Sequence, residues 1–384
     1  MTYVGIDLEQ FVQDPQSSGI QRVLQNLARA WPRHIKAQFV LPTSRGFALL
    51  DPGEAAMLVD LAFIGDDADH VRQLVSAEVV RLSTEKPTVS LSQLVSMFTA
   101  WLLPEVSYLD SVLERFEIFR QSMPTTMIGY DALPMTEPGN YRFRPGASAG
   151  VSRYFQLLTK ADTVVCISEF AKSEIVTRLR RDIHQRTLVA YPGGDHEPMG
   201  EKSSNSSGGR TTFIKLGTLE SRKKPLELLS AFRAASLLGV DAELIFVGRP
   251  SASDLETNHE IARAVDEGIG VRWLSNASDD TVRQVMNQAD YVITLGVEGY
   301  GIPVLEAIRS GTPVLFHGIQ PAAKLMEGLG AIRIPSDEPE ELIQSLIHFA
   351  QADQVKRARV MVDPGSVPTW SEFAEVVARS VVDS

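Results

Sequence analysis

At 384 residues the chain is longer than one ordinary core organises and calls for two domains. With 44% hydrophobic and 22% charged residues it is globular in composition, and a net charge of −11 excludes a dedicated nucleic-acid binder, whose footprint is basic. The longest apolar stretch, residues 94–106, is broken by Ser96, Thr99, Pro104 and Glu105, which excludes a membrane-spanning helix there.

In chain order, Tyr3-Val4-Gly5-Ile6-Asp7-Leu8 reads as a strand rather than a signal peptide. A polar loop, 14–19, and apolar residues at helical spacing over 20–30 complete a βα unit. A second strand is expected at 37–41. Residues 54–122 are mostly helical in pattern with few strand-like runs, and read as a helical insertion. Parallel-strand patterns resume at 125–129 and 163–167. Cys166, the one cysteine, lies inside the second of these. No motif beside it supports a catalytic thiol, so it reads as a buried structural residue, and a single cysteine suits a reducing compartment. Ser168 is placed to cap a helix over 169–179. After a strand at 188–191 comes a glycine-, serine- and charge-rich stretch, 193–210, with the composition of a linker.

The second half alternates more cleanly. Strands are expected at 212–216, 243–247, 271–274, 291–295, 313–316 and 331–334, with helices between them. A last amphipathic helix starts at Trp370. The expected architecture is α/β: two Rossmann-like domains facing each other across a cleft. The first covers 1–192, with its insertion at 54–122, and is completed by helix 370–384. The second covers 211–369. In such sheets ligands bind beyond the carboxyl ends of the strands.

Two segments there carry chemistry. Glu298-Gly299-Tyr300-Gly301-Ile302-Pro303-Val304-Leu305-Glu306 puts two acids, two glycines and a proline where a core would have apolar residues. Carboxylates accept hydrogen bonds from sugar hydroxyls, and amides at a glycine turn entering a helix face phosphate or sugar oxygens. Pro303 is tolerated in a first helical turn. Gly217-Thr218-Leu219-Glu220-Ser221-Arg222-Lys223-Lys224-Pro225 likewise runs from strand to helix. Its cations and the helix N-terminus make an anion site.

With Gly311-Thr312-Pro313-Val314, these segments resemble the signature of the GT-B glycosyltransferases of family 4, the glycosyl transferases group 1, over nearly the whole C-terminal domain. The N-terminal likeness is looser. Ser18-Gly19-Ile20-Gln21-Arg22-Val23 is similar to the family's glycine-loop entry to a helix, and Tyr130-Asp131-Ala132-Leu133-Pro134 to its His-Asp-Leu-Ile-Pro segment. Val165-Cys166-Ile167-Ser168 resembles a further strand end of that domain.

The resemblance implies a retaining transfer of a hexose or deoxyhexose from a UDP-, GDP- or dTDP-sugar to a glycan or lipid-linked glycan. Such work serves surface polysaccharide synthesis at the cytoplasmic face of the membrane, by peripheral contact and with no cofactor or metal. It assigns Arg222 and Lys223 to the donor diphosphate, Glu298 to the transferred sugar and Glu306 to the ribose. Gly217, Gly299, Tyr300, Gly301 and Ile302 would line the donor, and Gly19 would let the first domain's backbone approach the diphosphate. Tyr130 stands where many members carry a histidine, and Asp131 is either a polar anchor for acceptor or sugar or a turn residue before Pro134. Attack from the leaving-group side and double displacement through Glu298 both remain open. So do a nucleotide-sugar 2-epimerase and a non-catalytic glycan-binding protein on the same fold.

Weaker signals have blander readings. Asp67-Ala68-Asp69 has the form of a divalent-metal motif but equally caps a helix. Tyr141-Arg142-Phe143-Arg144 could meet an anionic membrane surface or an acceptor, or be a solvated loop. The seven histidines show no zinc-like spacing.

Overall fold

The computed structural model describes residues 3–64, 68–136, 147–179, 185–195, 210–251 and 254–383. The chain divides into two units. One comprises Met1–Ala132, Phe143–Pro192 and Thr369–Ser384, and the other Leu133–Arg142 and Gly193–Pro368. Asp67, most of the expected linker and the Tyr141–Arg144 segment lie outside the described residues.

The first unit holds one sheet built from β1 (Tyr3–Asp7), β2 (Lys36–Thr43), β3 (Gly46–Leu50), β4 (Thr88–Val89), β5 (Ala100–Leu103), β6 (Thr125–Gly129), β7 (Thr163–Cys166) and β8 (Thr187–Val189). Their order is β4-β3-β2-β1-β5-β6-β7-β8. From β2 to β8 neighbours run parallel, while β3 and β4 add antiparallel at the edge. Ser18 caps the helix Gly19–Ala30 by accepting a hydrogen bond from the Gln21 amide. Ser168 does the same for Glu169–Arg178. The chain's last helix, Trp370–Val382, is closed at its start by a Thr369–Glu372 capping box and packs on Gly19–Ala30.

The reading of residues 54–122 as a helical insertion needs correction. The stretch does contain helices Ala68–Glu85, Leu91–Met97 and Asp110–Phe119, but β5 lies within it and occupies the centre of the sheet. All four β5 residues are buried, and Trp101 lies against Phe119 with ring centroids 4.0 Å apart. Ala100-Trp101-Leu102-Leu103 is apolar on both faces because helices cover both, so it has no strand alternation to read.

The second unit is a six-stranded sheet of β9 (Thr211–Leu216), β10 (Ala242–Val247), β11 (Val271–Leu274), β12 (Tyr291–Thr294), β13 (Val314–Phe316) and β14 (Ala331–Arg333). Each starts and ends within one residue of where the apolar pattern puts it. All neighbours are parallel in the order β11-β10-β9-β12-β13-β14. This is the doubly wound arrangement in which the chain first winds to one side of β9 and then crosses to the other. The switch point therefore lies between β9 and β12. Phe213, Phe246, Tyr291 and Ile293 form the core with Leu228 and Phe232 of helix Pro225–Leu237.

Candidate active site at the switch point of the second sheet

The chain leaves β9 at Gly217 and β12 at Leu295, so the two motifs descend from the two strands that flank the switch point. After β9 it makes a turn of 3-10 helix, Ser221–Lys223, and enters helix Pro225–Leu237 through Lys224. Lys224 is the one non-glycine residue with positive φ among those described, and its ammonium is held 2.7 Å from Asp337. After β12 comes Gly296, at φ +74, where a Cβ would sit 1.9 Å from the Arg222 carbonyl oxygen. Only glycine lets the two backbones approach this closely. The Val297 amide donates to that same carbonyl at 3.0 Å, and the Glu298 amide donates to Ile319 at 2.9 Å. Glu298 thus hangs from a backbone braced on both sides.

The side chains close the link. Arg222 Nη1 donates to the Val297 carbonyl at 2.6 Å and to Glu298 Oε2 at 3.1 Å, and Nη2 lies 2.5 Å from Glu220 Oε2. Lys223 Nζ is 3.0 Å from Glu298 Oε1 and 3.6 Å from Glu220. The Arg222 and Lys223 side chains are 12% exposed and that of Glu298 21%. Burial works to raise the Glu298 carboxyl, but Lys223 and then Arg222 outweigh it and hold the group down at about 2. It is an anion throughout the neutral range.

Gly301 has φ +106, a conformation glycine adopts without strain, and it begins helix Ile302–Arg309 with Pro303 in the first turn. Gly299 and Tyr300 are buried, Ile302 is half-buried, and the Tyr300 carbonyl accepts from the Ala322 amide at 3.0 Å. Glu306, half-buried, sits in the second turn of that helix. The second sheet thus brings Gly217, Arg222, Lys223 and Glu298 together and sets the glycine turn and Glu306 directly after them.

One member of this cluster was not singled out from sequence. Lys215, on β9, is 3% exposed. Its ammonium makes no hydrogen bond or ion pair among the described residues. Burial, reinforced by Lys223, pulls its pKa down to about 7, with Glu298 opposing. One lysine in a run of apolar strand residues passes for an edge position. Only its pairing between β10 and β12 reveals it as interior.

The other candidate residues lie in the first unit. Gly19 is exposed, and a Cβ there would meet nothing within 4 Å. Tyr130 follows β6, is 6% exposed, and donates its hydroxyl to the Pro104 carbonyl at 2.8 Å. Burial and the nearby Glu105 push its phenol well above its ordinary value. Asp131 beside it is half-buried. The carboxyl ends of β1 and β5 also hold a buried charged group that periodicity gave no sign of. Arg115 pairs with Asp7 and Glu9, each at 2.6 Å. Glu105, 2% exposed, keeps Oε2 without a hydrogen-bond partner, and burial pushes it up to about 8. Cys166 is buried, its thiol pushed up to about 12 by burial, as suits an unreactive structural residue. No helix among the described residues is long and apolar enough to cross a membrane.

Comparison with known proteins bears on the fold and on what the chain resembles. Residues 200–360 match the family model of glycosyl transferases group 1. The serotype-specific mannosyltransferase WbdA of Escherichia coli is 21% identical over 98% of the chain, though the chain spans about half of its length, 46%. Among solved structures, Alr3699/HepE of Anabaena, determined with UDP, superposes with a TM-score of 0.66 at 14% identity and covers all of both chains. The lipopolysaccharide outer core galactosyltransferase WaaB gives a TM-score of 0.59 at 13% identity, covering 100% of this chain and 99% of its own. The chain has the GT-B fold, and the stretch that matches the glycosyl transferases group 1 model lies in the unit that carries Arg222, Lys223 and Glu298.

Proposed function

We propose that this chain moves a hexose or deoxyhexose from a nucleoside-diphosphate sugar to a hydroxyl of a glycan or lipid-linked glycan, with retention of configuration and without a metal ion. The supporting observation is the pairing of Arg222 and Lys223 with an ionised Glu298 at a switch point. As the bond from the sugar's anomeric carbon to the phosphate oxygen breaks, negative charge grows on the diphosphate, and the two cations are placed to stabilise it. Both Glu298 oxygens are engaged and the carboxylate is only weakly basic. It is therefore suited to accept hydrogen bonds from sugar hydroxyls rather than to form a bond to carbon. The acceptor oxygen then attacks from the leaving-group side, and a phosphate oxygen takes its proton. Glu306 is assigned to the ribose hydroxyls, and Asp131, with Tyr130, to acceptor or sugar.

HepE was solved with UDP, and the names of WbdA and WaaB concern serotype and lipopolysaccharide core. We accordingly assign the reaction to surface polysaccharide synthesis at the cytoplasmic face of the membrane, reached by peripheral contact. The test is calorimetric titration with UDP, GDP and dTDP, followed by incubation with the matching sugar donors and glycan acceptors. One nucleotide should bind, and Glu298→Ala should abolish transfer without changing the unfolding profile by more than a few degrees. A protein that binds none of the three, or a Glu298→Ala variant with undiminished turnover, would sink the reading.

A further inference from the structure

The cations at the switch point have little positive charge to spare. Arg222 and Lys223 are matched by two carboxylates, Glu220 and Glu298, and Lys224 is matched by Asp337. The anion site read from the three cations is thus close to neutral while empty. A nucleoside diphosphate brings two to three negative charges, roughly, at neutral pH. Lys215 is the buried cation here with no counter-ion of its own. It shares a sheet face with the fully buried Phe213, in a strand that ends at Leu216, just before Gly217. The charged groups that act on it electrostatically are Lys223 and Arg222 on the loop after β9, Glu298 after β12, and Glu227 on helix Pro225–Leu237. β10 offers Phe246 as its register partner.

We propose that Lys215 is a third, switchable cation of this site: it sheds its proton while the site is empty and takes one up from solvent when a nucleoside diphosphate binds. The inference rests on the donor reading above and adds to it the residue that supplies the missing charge. Desolvation and the adjacent Lys223 disfavour the ammonium in the empty site, to the point where it titrates at about 7. A diphosphate close to Arg222 and Lys223 reverses the sign of the local field. The proton passes from water or buffer to Lys215 Nζ, where it forms one N–H bond as its bond to the donor breaks, and no other bond changes. On departure of the nucleoside diphosphate the same proton is lost, so the site returns to near neutrality and does not retain its product by charge.

The test is isothermal titration with UDP, GDP and dTDP at about pH 8, where a free nucleotide's phosphates are already ionised, in two buffers of different ionisation enthalpy. The wild-type protein should take up about one proton per nucleotide bound, and its affinity should fall about 5-fold or more between about pH 7.5 and 8.5. Lys215→Met should fold, bind about 10- to 100-fold more weakly at about pH 6.5, and show neither proton uptake nor that pH dependence. Lys215→Arg, permanently charged, should keep the affinity and lose the proton uptake. Wild-type binding with no buffer-dependent enthalpy would overturn the inference, as would proton uptake that survives in both variants. Those outcomes leave the donor reading standing. Failure of every nucleotide to bind removes the donor reading and this inference with it.

Discussion

Arg222 and Glu298, 76 residues apart in the chain, meet at 3.1 Å, and the same guanidinium reaches the Val297 carbonyl at 2.6 Å. The arginine therefore holds both the side chain and the backbone of the segment that carries the glutamate. Under the proposed function, a ligand phosphate at this guanidinium would be coupled through the same bracing to the position of the Glu298 carboxylate.

Replacing Glu298 by glutamine removes one of the two anions that compensate Arg222 and Lys223. The expected result is tighter binding of free UDP, GDP or dTDP, by about 3- to 10-fold, because the cations no longer share their charge with a carboxylate. Transfer should fall by about 100-fold or more. Calorimetry and product release on the same preparation check both; unchanged affinity would count against the electrostatic account.

Arg222→Ala and Lys223→Ala should each weaken nucleoside diphosphate binding by about 10- to 100-fold. They should differ in stability. Loss of Arg222 leaves the Val297 carbonyl without its side-chain donor and Glu220 without its nearer cation, so its melting temperature should fall further than that of the Lys223 variant. Equal melting curves would show that Arg222 does not brace the segment after β12.

Gly296→Ala places a methyl group 1.9 Å from the Arg222 carbonyl, at φ +74. Neither backbone can yield without breaking the hydrogen bond from the Val297 amide. A destabilisation of about 2 kcal/mol or more is expected, measured by urea unfolding. Nucleotide binding should weaken in parallel.

Glu105 gives a pH signature of opposite sign to Glu298. Its carboxyl is raised to about 8, by burial first and with Asp7 adding to it, while Gln21 opposes. Between the ordinary carboxylate range and pH 8 the folded state binds more protons than the unfolded one, so stability is lost as pH rises through that window. Glu105→Gln should melt at a higher temperature than wild type at pH 8.5 and close to it at pH 4.5. Glu298 is lowered, so its contribution is present at neutral pH and is lost as pH falls from the ordinary range towards about 2.

Lys215 has its pKa lowered, so the unfolded chain binds the extra proton between about 7 and the ordinary lysine value. Stability should rise with pH across that interval. Lys215→Met should therefore gain most over wild type at pH 6 to 7, with the gain shrinking towards pH 10. Thermal melts at three pH values suffice to see it.

Much of the second unit was legible in the sequence, because its strands are short apolar runs punctuated by glycine, serine and charge, and local pattern reports such boundaries directly. Gly217, Arg222, Lys223 and Glu298 could be marked for the same reason: their residue types have no use in a core. The first unit was harder to read. β5 is apolar on every side, so its central place in the sheet left no periodic trace, and the segment around it read as an insertion.

By itself the sequence determined the alternation of strands and helices, the parallel doubly wound architecture and the residue types that could meet a phosphorylated, hydroxylated ligand. Only the tertiary structure decided the charges. Lys215 and Glu105 look like ordinary polar residues in the chain, and whether they are ionised depends on desolvation and on neighbours brought from distant strands. Pattern is a property of neighbours along the chain. The free energy of a charge belongs to neighbours in space, and parallel sheet pairing is what chooses them.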